Sequence, residues 1–525
     1  MTHSDMLREL ALVLGPDGLL TDEAERRLHS GDLFGQGGLC VAVVRPADPD
    51  QLVAAVKVIA QAGLAITPRG GGLTYVSGYT HGAGGHVAVD LRRMNRIVEI
   101  SPTNMTITVE AGVTWQQIYE ALKPLGLRLP FFGTFSGRGA TVGGGLSNGA
   151  LFLGTARHGT AAEAVVGLEV VLANGDVLHT GQRGVALAPD PFFRTFGPDT
   201  TAMFTHDAGA FGIKSRATLR LIRAPEVTDF LSFGFATQAE AIEAICEIGR
   251  NDLAEDAYVM DADKTRLALS SPSDLASDIK TLAKVVRQEK GLLRGLKAGA
   301  QLAMAGRDFI EAGCHSLHLV LAGRSRAGVD ADMAAARDIA ARLGGKELPN
   351  SIPKATRAEM FSPLHMVLGP QSDRWLALNA KVSHGQAQAL SAAVEALIAQ
   401  YQPRLDAAGV MVSRLLTVIG THAFSYEPVF NWRDEWLPMH HATLAMVGAT
   451  DRFSEPAPAP DTRALVMELR ARIIQTFAEH GAASNQIGRT YRYASVLRPE
   501  TLGLIRAIKA HVDPDGRMNP GALEL

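Results

Sequence analysis

Cysteine is scarce in this chain. Only Cys40, Cys246 and Cys314 occur, far apart, which excludes a disulfide framework and a cysteine-based zinc site and makes a reducing cytoplasm the expected compartment. No apolar run approaches the roughly 20 residues that cross a bilayer. The opening MTHSDMLRELALVLG has no basic start followed by an apolar core, so no secretory leader is expected. A net charge of −3 gives no reason to expect nucleic acid or an anionic membrane as partner. Two nucleotide signatures are missing as well. No G-x-G-x-x-G sits between a strand and a helix, and no G-x-x-x-x-G-K-[ST] occurs anywhere. A dinucleotide, if bound, sits on neither a Rossmann fold nor a P-loop.

What the chain does have is clustered glycine. One cluster is PRGGGLTYVSG, Pro68–Gly78; the other is GTFSGRGATVGGGLSNGALFLGTARHG, Gly133–Gly159. A run such as Val142–Leu146 packs poorly in a helix or strand, because glycine loses the most backbone entropy on ordering. It makes sense where backbone must come close to a flat or anionic ligand. A third segment, IGRTYRYASVL (Ile487–Leu497), has the composition of a site rather than of a core helix.

At 525 residues the chain is long enough for two or three domains. Val41–Val44, an amphipathic helix opened by Asp48-Pro49 and Leu64–Thr67 read as strand, helix, strand, delivering Pro68–Gly72 at the tip. Further strands are expected at Val87–Leu91, Ile97–Ile100, Thr106–Glu110 and Ile213–Ile222. A helix follows Thr114, with Gln117 as capping-box partner, and Asn174-Gly175 marks a hairpin. Residues 1–225 thus form an α+β unit. From 226 to 460, strands (Phe230–Phe235, Ser316–Ala322, Leu376–Val382) alternate with Ala-rich helices (Gln238–Ile248, Asp330–Leu343, Gln386–Gln400). The linker EPAPAPD, Glu455–Asp461, leads to the tail 461–525. His315-x-x-His318 lies on an expected strand, where residues three apart face opposite sides. It is a poor metal pair, and no metal is expected.

Six segments in this order resemble the vanillyl-alcohol oxidase / p-cresol methylhydroxylase superfamily: PRGGGLTYVSG, VDLRRMNRIVEI, VEAGVTWQQIYEAL, the long glycine segment running to GDVL, FGIKSRATLRL and VDPDGRMNPGAL. The resemblance implies an α+β fold with a PCMH-type FAD-binding domain of two α+β subdomains (1–225), an α+β cap domain with an antiparallel sheet flanked by helices (226–460), and a C-terminal segment (461–525) returning to the FAD domain. It implies FAD held by Pro68, Arg69, Gly70, Gly71, Gly72, Leu73 and Thr74. It adds Ser136, Gly137, Thr141, Gly143, Gly144 and Ser147, with Gly212, Ile213, Arg489 and Asn519 beyond them. Many relatives attach FAD through a histidine where Leu73 stands, so non-covalent FAD is expected, with His365 and His384 as the alternative attachment points.

In the phenol-oxidising branch two tyrosines and an arginine bind the phenolate. Tyr75, Tyr491 and Arg492 fit those places. No Asp or Glu occurs from Lys123 to Ala162, so an acid or base must come from the cap. Glu427 and the pair His440 and His441 are the candidates, the pair resembling histidines on a cap strand, with Tyr426, Phe430, Trp432 and Trp436 as substrate-pocket aromatics. The expected activity is oxidation of a phenolic or aryl alcohol by hydride transfer to FAD, with O2 or an electron-transfer acceptor as oxidant. An aliphatic or hydroxy-acid-like alcohol is the alternative. The H-x-G-D-G-x-x-H-like cluster of metal-using D-2-hydroxy-acid relatives is absent from the sequence, which counts against D-lactate or 2-hydroxyglutarate. A non-catalytic flavin-binding subunit is a third reading. Dimers are usual among such relatives.

Overall fold

The structure, a computed structural model, describes residues 1–188, 191–270 and 313–525. The first subdomain is a small sheet in the order Leu19–Leu20, Ala42–Val44, Val87–Asp90, Ile66–Arg69, its last three strands parallel. Helices His3–Leu14 and Pro49–Gln61 cover it. Asp48 caps the second through its carboxylate, and Leu52, Val56 and Ile59 enter the core with Met6 and Leu10. The parallel order leaves the strand Ile66–Arg69 at the sheet edge. There the C-terminal tail pairs with it, Ile66 N–H donating to Arg517 O at 2.8 Å and Asn519 N–H to Ile66 O at 2.8 Å.

The second subdomain is an antiparallel sheet in the order Ile97–Ser101, Thr106–Glu110, Ile213–Arg220, Val165–Val171, Val177–His179. The Asn174-Gly175 turn joins its last two strands. Trp115–Leu122 packs on this sheet behind the expected Thr114/Gln117 capping box.

The cap is one antiparallel sheet in the order Lys346–Glu347, Val227–Phe235, His315–Gly323, Asp256–Met260, Met411–Ile419, Ala423–Trp432, Arg374–Ala377, with Ala380–Ser383 also on Ala423–Trp432. Helices Gln238–Arg250, Arg326–Arg342 and Ala387–Ala407 cover its outer face. Pro460–Glu479 lies on Ala387–Ala407. The tail therefore splits: its first helix belongs to the cap, and the return to the FAD-side subdomains begins after it. Among the described residues no helix is long and apolar enough to cross a membrane.

A buried ionic cluster joins cap to base. The Glu255 carboxylate, from the cap, takes Arg128 of the second subdomain on one oxygen and Arg357 of the cap on the other. The two guanidiniums sandwich the Phe132 ring at 4.1 and 4.3 Å. His158 approaches the same carboxylate at 3.4 Å. Burial and the Arg357 charge hold Arg128 down to about 9. Removing Glu255 would leave Arg128 without its carboxylate out of water, with only Asp256, 3.2 Å from Arg357, as remaining anion. Glu255→Ala is therefore expected to cost about 3–5 kcal/mol, read as a lower urea midpoint.

Candidate active site

Two glycine segments form the lips of an open cleft between the subdomains. A Cβ on Gly70 would stand 2.2 Å from Thr141 Oγ1, and one on Gly71 would stand 2.0 Å from Gly139 O. Gly71 abuts the Gly139 backbone and Gly70 the Thr141 side chain, which is why no side chain is tolerated there. The run Val142–Leu146 is not loop, as its composition suggests, but the start of the helix Val142–Asn148, capped by Thr141. Glycine is required there by packing: Cβ atoms on Gly143 and Gly145 would strike Ala111 at 2.8 Å and the Trp115 ring at 2.6 Å.

The expected cofactor residues Pro68, Arg69, Gly70, Gly71, Gly72, Leu73, Thr74, Ser136, Thr141, Gly143, Gly144, Ser147, Gly212 and Ile213 all line this cleft. Three others do not. Gly137 gives way to the cap, since its Cβ would lie 2.4 Å from the Phe361 ring. Arg489 spends its guanidinium on Ser77 O, Gly78 O, Asn519 Oδ1 and Pro520 O. Asn519 is buried and donates to Gly78 O and Ala208 O. Both clamp the wall from behind.

The lining suits a polar, anionic dinucleotide. Thr74 Oγ1, Tyr79 Oη, Trp115 Nε1, Asn148 Oδ1 and Gln486 Oε1 are buried polar atoms of the lining with no partner in the protein, a costly state unless a ligand satisfies them. Arg69 is buried beside them. It touches Met439 Sδ and the Tyr79 ring, and its Nε has no hydrogen-bond partner.

A second cluster abuts the cleft through Gln486, which lines the cleft and lies beside Tyr75. Tyr75 follows the first glycine lip and packs against Trp375, ring centroids 5.4 Å apart. Tyr491 comes from the returning tail, and its hydroxyl accepts the Asn379 N–H at 2.7 Å. Burial drives both phenols upward from their usual range. The cation between them is Arg470, not Arg492. Arg492 is exposed, with its charge toward Glu524, because the residue after the inward Tyr491 points out. Arg470 comes from the cap helix Pro460–Glu479 and is only 2 % exposed. It donates to Ala377 O and lies over the rings of Phe34 and Phe430. Its Nε and Nη2 are buried without partners, and burial lowers it to about 10. A sequence signal for it existed: it is the one charged residue on the buried face formed by Leu465, Val466, Leu469, Ile473 and Phe477.

Strand alternation separates the other expected residues. Glu427 pairs with Leu415, and Leu415 with Met260, so the three share a face of the cap sheet. Tyr258, on that face, meets Phe152 of the FAD-side unit at 5.8 Å. This is the inner face, and Glu427 looks toward Tyr75 and Tyr491. Burial pushes its carboxyl up to about 7, against the opposing charge of Lys264. Tyr426, Phe430 and Trp432 alternate to the outer face, in the core under the helices. They are not a pocket wall, apart from Phe430 beneath Arg470. Tyr426 donates to Glu395 there. Trp436 lies beyond the strand, donating to Ser372 O in a cluster that borders Leu73 and Tyr75.

His440 and His441 are on the helix Pro438–Met446 rather than a strand, since Pro438 opens a helical turn. His440 is buried, its Nδ1 accepting the Leu437 N–H, and burial lowers it to about 3. His441 is exposed and pairs with Glu455 at 3.4 Å. Neither lines the cleft. His315 and His318 fall on opposite faces as their spacing requires. His318 is buried between Ser232 and Ser316, while His315 lies toward Glu395 and Arg414. A methyl group on the first lip tests the cleft directly. Gly71→Ala is expected to purify without the yellow flavin absorbance of the parent, read as flavin per protein in the visible spectrum.

Comparison with known proteins gives the same picture. Residues 41–181 match the FAD binding domain family, and residues 459–523 match the C-terminal domain of FAD linked oxidases. The glycolate oxidase subunit GlcD of Bacillus subtilis is 30 % identical over 249 residues, 47 % of this chain and 51 % of that protein. The mitochondrial D-lactate dehydrogenase (cytochrome) of Arabidopsis thaliana is 28 % identical over 242 residues, 46 % of this chain and 41 % of that protein. The chain thus spans about half the length of the curated relatives it matches. In fold it is similar to p-cresol methylhydroxylase, with a TM-score of 0.73 at 20 % identity over 99 % of this chain and 96 % of that one. The 4-ethylphenol oxidase of Gulosibacter chungangensis gives 0.70 at 18 %, with the same coverage. The chain therefore carries an FAD binding domain and the C-terminal domain of FAD linked oxidases, in the fold of p-cresol methylhydroxylase, and its cofactor is FAD.

Proposed function

We propose that this protein oxidises a CH–OH donor that carries a carboxylate, a 2-hydroxy acid, with FAD as hydride acceptor. The observation that carries this reading is Arg470, a buried guanidinium near Tyr75 and Tyr491 with two nitrogens unpartnered. A buried cation of that kind is stabilised by an anion supplied from outside, and a planar carboxylate matches its fork. The relatives named for glycolate and D-lactate act on such acids. FAD, when bound, supplies the acceptor for the hydride and its electron pair. The chain's residues do the rest. Arg470 and the Tyr491 hydroxyl, whose oxygen already accepts from Asn379, orient the carboxylate. Tyr75 and Trp375 wall the site and exclude water. Glu427, ionised above about pH 7, takes the proton of the substrate hydroxyl.

A second reading is a phenolic alcohol. Its support is that Tyr75 and Tyr491 flank the same guanidinium, an arrangement that also suits a phenolate. We further propose that FAD is bound without a covalent bond. Leu73 lines the cleft, whereas His365 and His384 do not.

Anaerobic mixing with a panel of 2-hydroxy acids and with 4-hydroxybenzyl alcohol separates the readings: bleaching of the flavin by the acids supports the first, and bleaching by the phenol alone replaces it with the second. Flavin released into the supernatant on acid precipitation supports non-covalent binding; flavin in the pellet overturns it. Arg470→Met is expected to lower kcat/KM by about 100-fold, the size of losing one partner of a buried charge pair. In the parent, kcat/KM rises with pH through about 7 as Glu427 loses its proton. Glu427→Gln abolishes that limb and lowers kcat by roughly 10²–10⁴-fold.

A further inference from the structure

We propose that Lys264 is a positioning residue for this reaction, its ammonium set against the Glu427 carboxylate that takes the substrate proton. The proposal rests on the reading that Glu427 takes the substrate proton. Its geometry starts from the row Glu427, Leu415, Met260 across three strands of the inner face. The helix Ala262–Ser270 begins two residues after Met260 and lies on the strand Met411–Ile419, which puts its first turn, with Lys264, against the end of that row.

That turn is fixed in place. The Lys264 N–H donates to Asp261 Oδ1 at 2.7 Å. Thr265, the next residue, meets Ser316 Oγ at 3.3 Å; Ser316 meets His318 Nε2 at 3.0 Å, and His318 Nδ1 meets Ser232 Oγ at 2.9 Å. This chain of side chains runs across the inner face with His318 neutral, its proton affinity lowered to about 3 by burial. It accounts for a histidine that has no role at the substrate, and it anchors the helix that carries Lys264.

The charges around the pair are few. Glu427 faces Lys264 and the phenols Tyr75 and Tyr491, with Arg470 behind them. Lys264 faces Glu427 and Asp261, and Asp261 faces Arg414 and Asp263. Burial alone pushes a carboxyl toward its neutral acid, which cannot accept a proton. The opposite charge of Lys264 works against this.

The test is the pH profile of kcat/KM in the flavin-loaded enzyme. Lys264→Met is expected to move the acidic limb upward by about one unit or more while flavin content stays at the parent level, and Lys264→Arg to restore it. Infrared titration gives a readout apart from turnover. The band of the protonated Glu427 carboxyl, identified by its loss in Glu427→Gln, should persist to higher pH in Lys264→Met. If Lys264→Met does not retain flavin, Lys264→Gln carries the same comparison. An unmoved limb and an unmoved band overturn the role of Lys264. A Glu427→Gln enzyme that keeps the parent's limb overturns instead the reading of Glu427 on which it rests.

Discussion

The constraint on which much of the structure depends is the close contact of the two glycine segments at the cleft. Gly71 meets Gly139 O, and Gly70 meets Thr141, at distances that leave no space for a methyl group. The position of much else follows. Thr141 starts the helix Val142–Asn148, which lies on Ala111 and Trp115. The same loop receives the cap: Ser362 N–H donates to Phe135 O at 2.8 Å, and Phe361 fills the space left at Gly133 and Gly137. Side chains at those glycines would part the lips and unseat the cap together, so one steric condition shapes the cofactor cleft and sets the cap above it.

The cap sheet turns alternation into a division of labour. One face is apolar and carries helices; the other looks into the site. Tyr426 and Glu427 are neighbours in sequence and lie on opposite sides of that division. The outer face gains its stability from burial of Phe424, Tyr426, Phe430 and Trp432 against helices. The inner face carries Glu427, and His318 with its two serines.

Buried charge is managed differently at two places in the molecule. Between cap and base, the Glu255 carboxylate takes both Arg128 and Arg357. In the site, Arg470 has aromatic rings and one carbonyl as partners, and Arg69 has a thioether and a ring. Closed pairs hold parts of a protein together; open ones favour binding of an anion. Arg128 and Arg357 share a carboxylate, whereas among the described residues Arg470 and Arg69 form no ion pair.

Local chemistry was legible in the sequence. The Asp48-Pro49 helix start, the Thr114/Gln117 box, the Asn174-Gly175 turn and the two glycine lips depend on neighbours within a few residues, and each stands where the sequence puts it. So did Tyr75 and Tyr491 approach each other, from segments far apart in the chain. What the sequence left open was direction. Whether Arg492 or another cation joins the tyrosines depends on the turn before it, and the cation is Arg470, brought by a helix that packs on the cap. His440 and His441 depend on whether the strand continues past Trp432, and Pro438 instead begins a helix. The sequence by itself determined the secondary structure at capped and glycine-marked positions and the family, because those signals are local. Only the tertiary structure decided which charges are buried together, because burial is a property of the faces that meet and not of the residues that carry them.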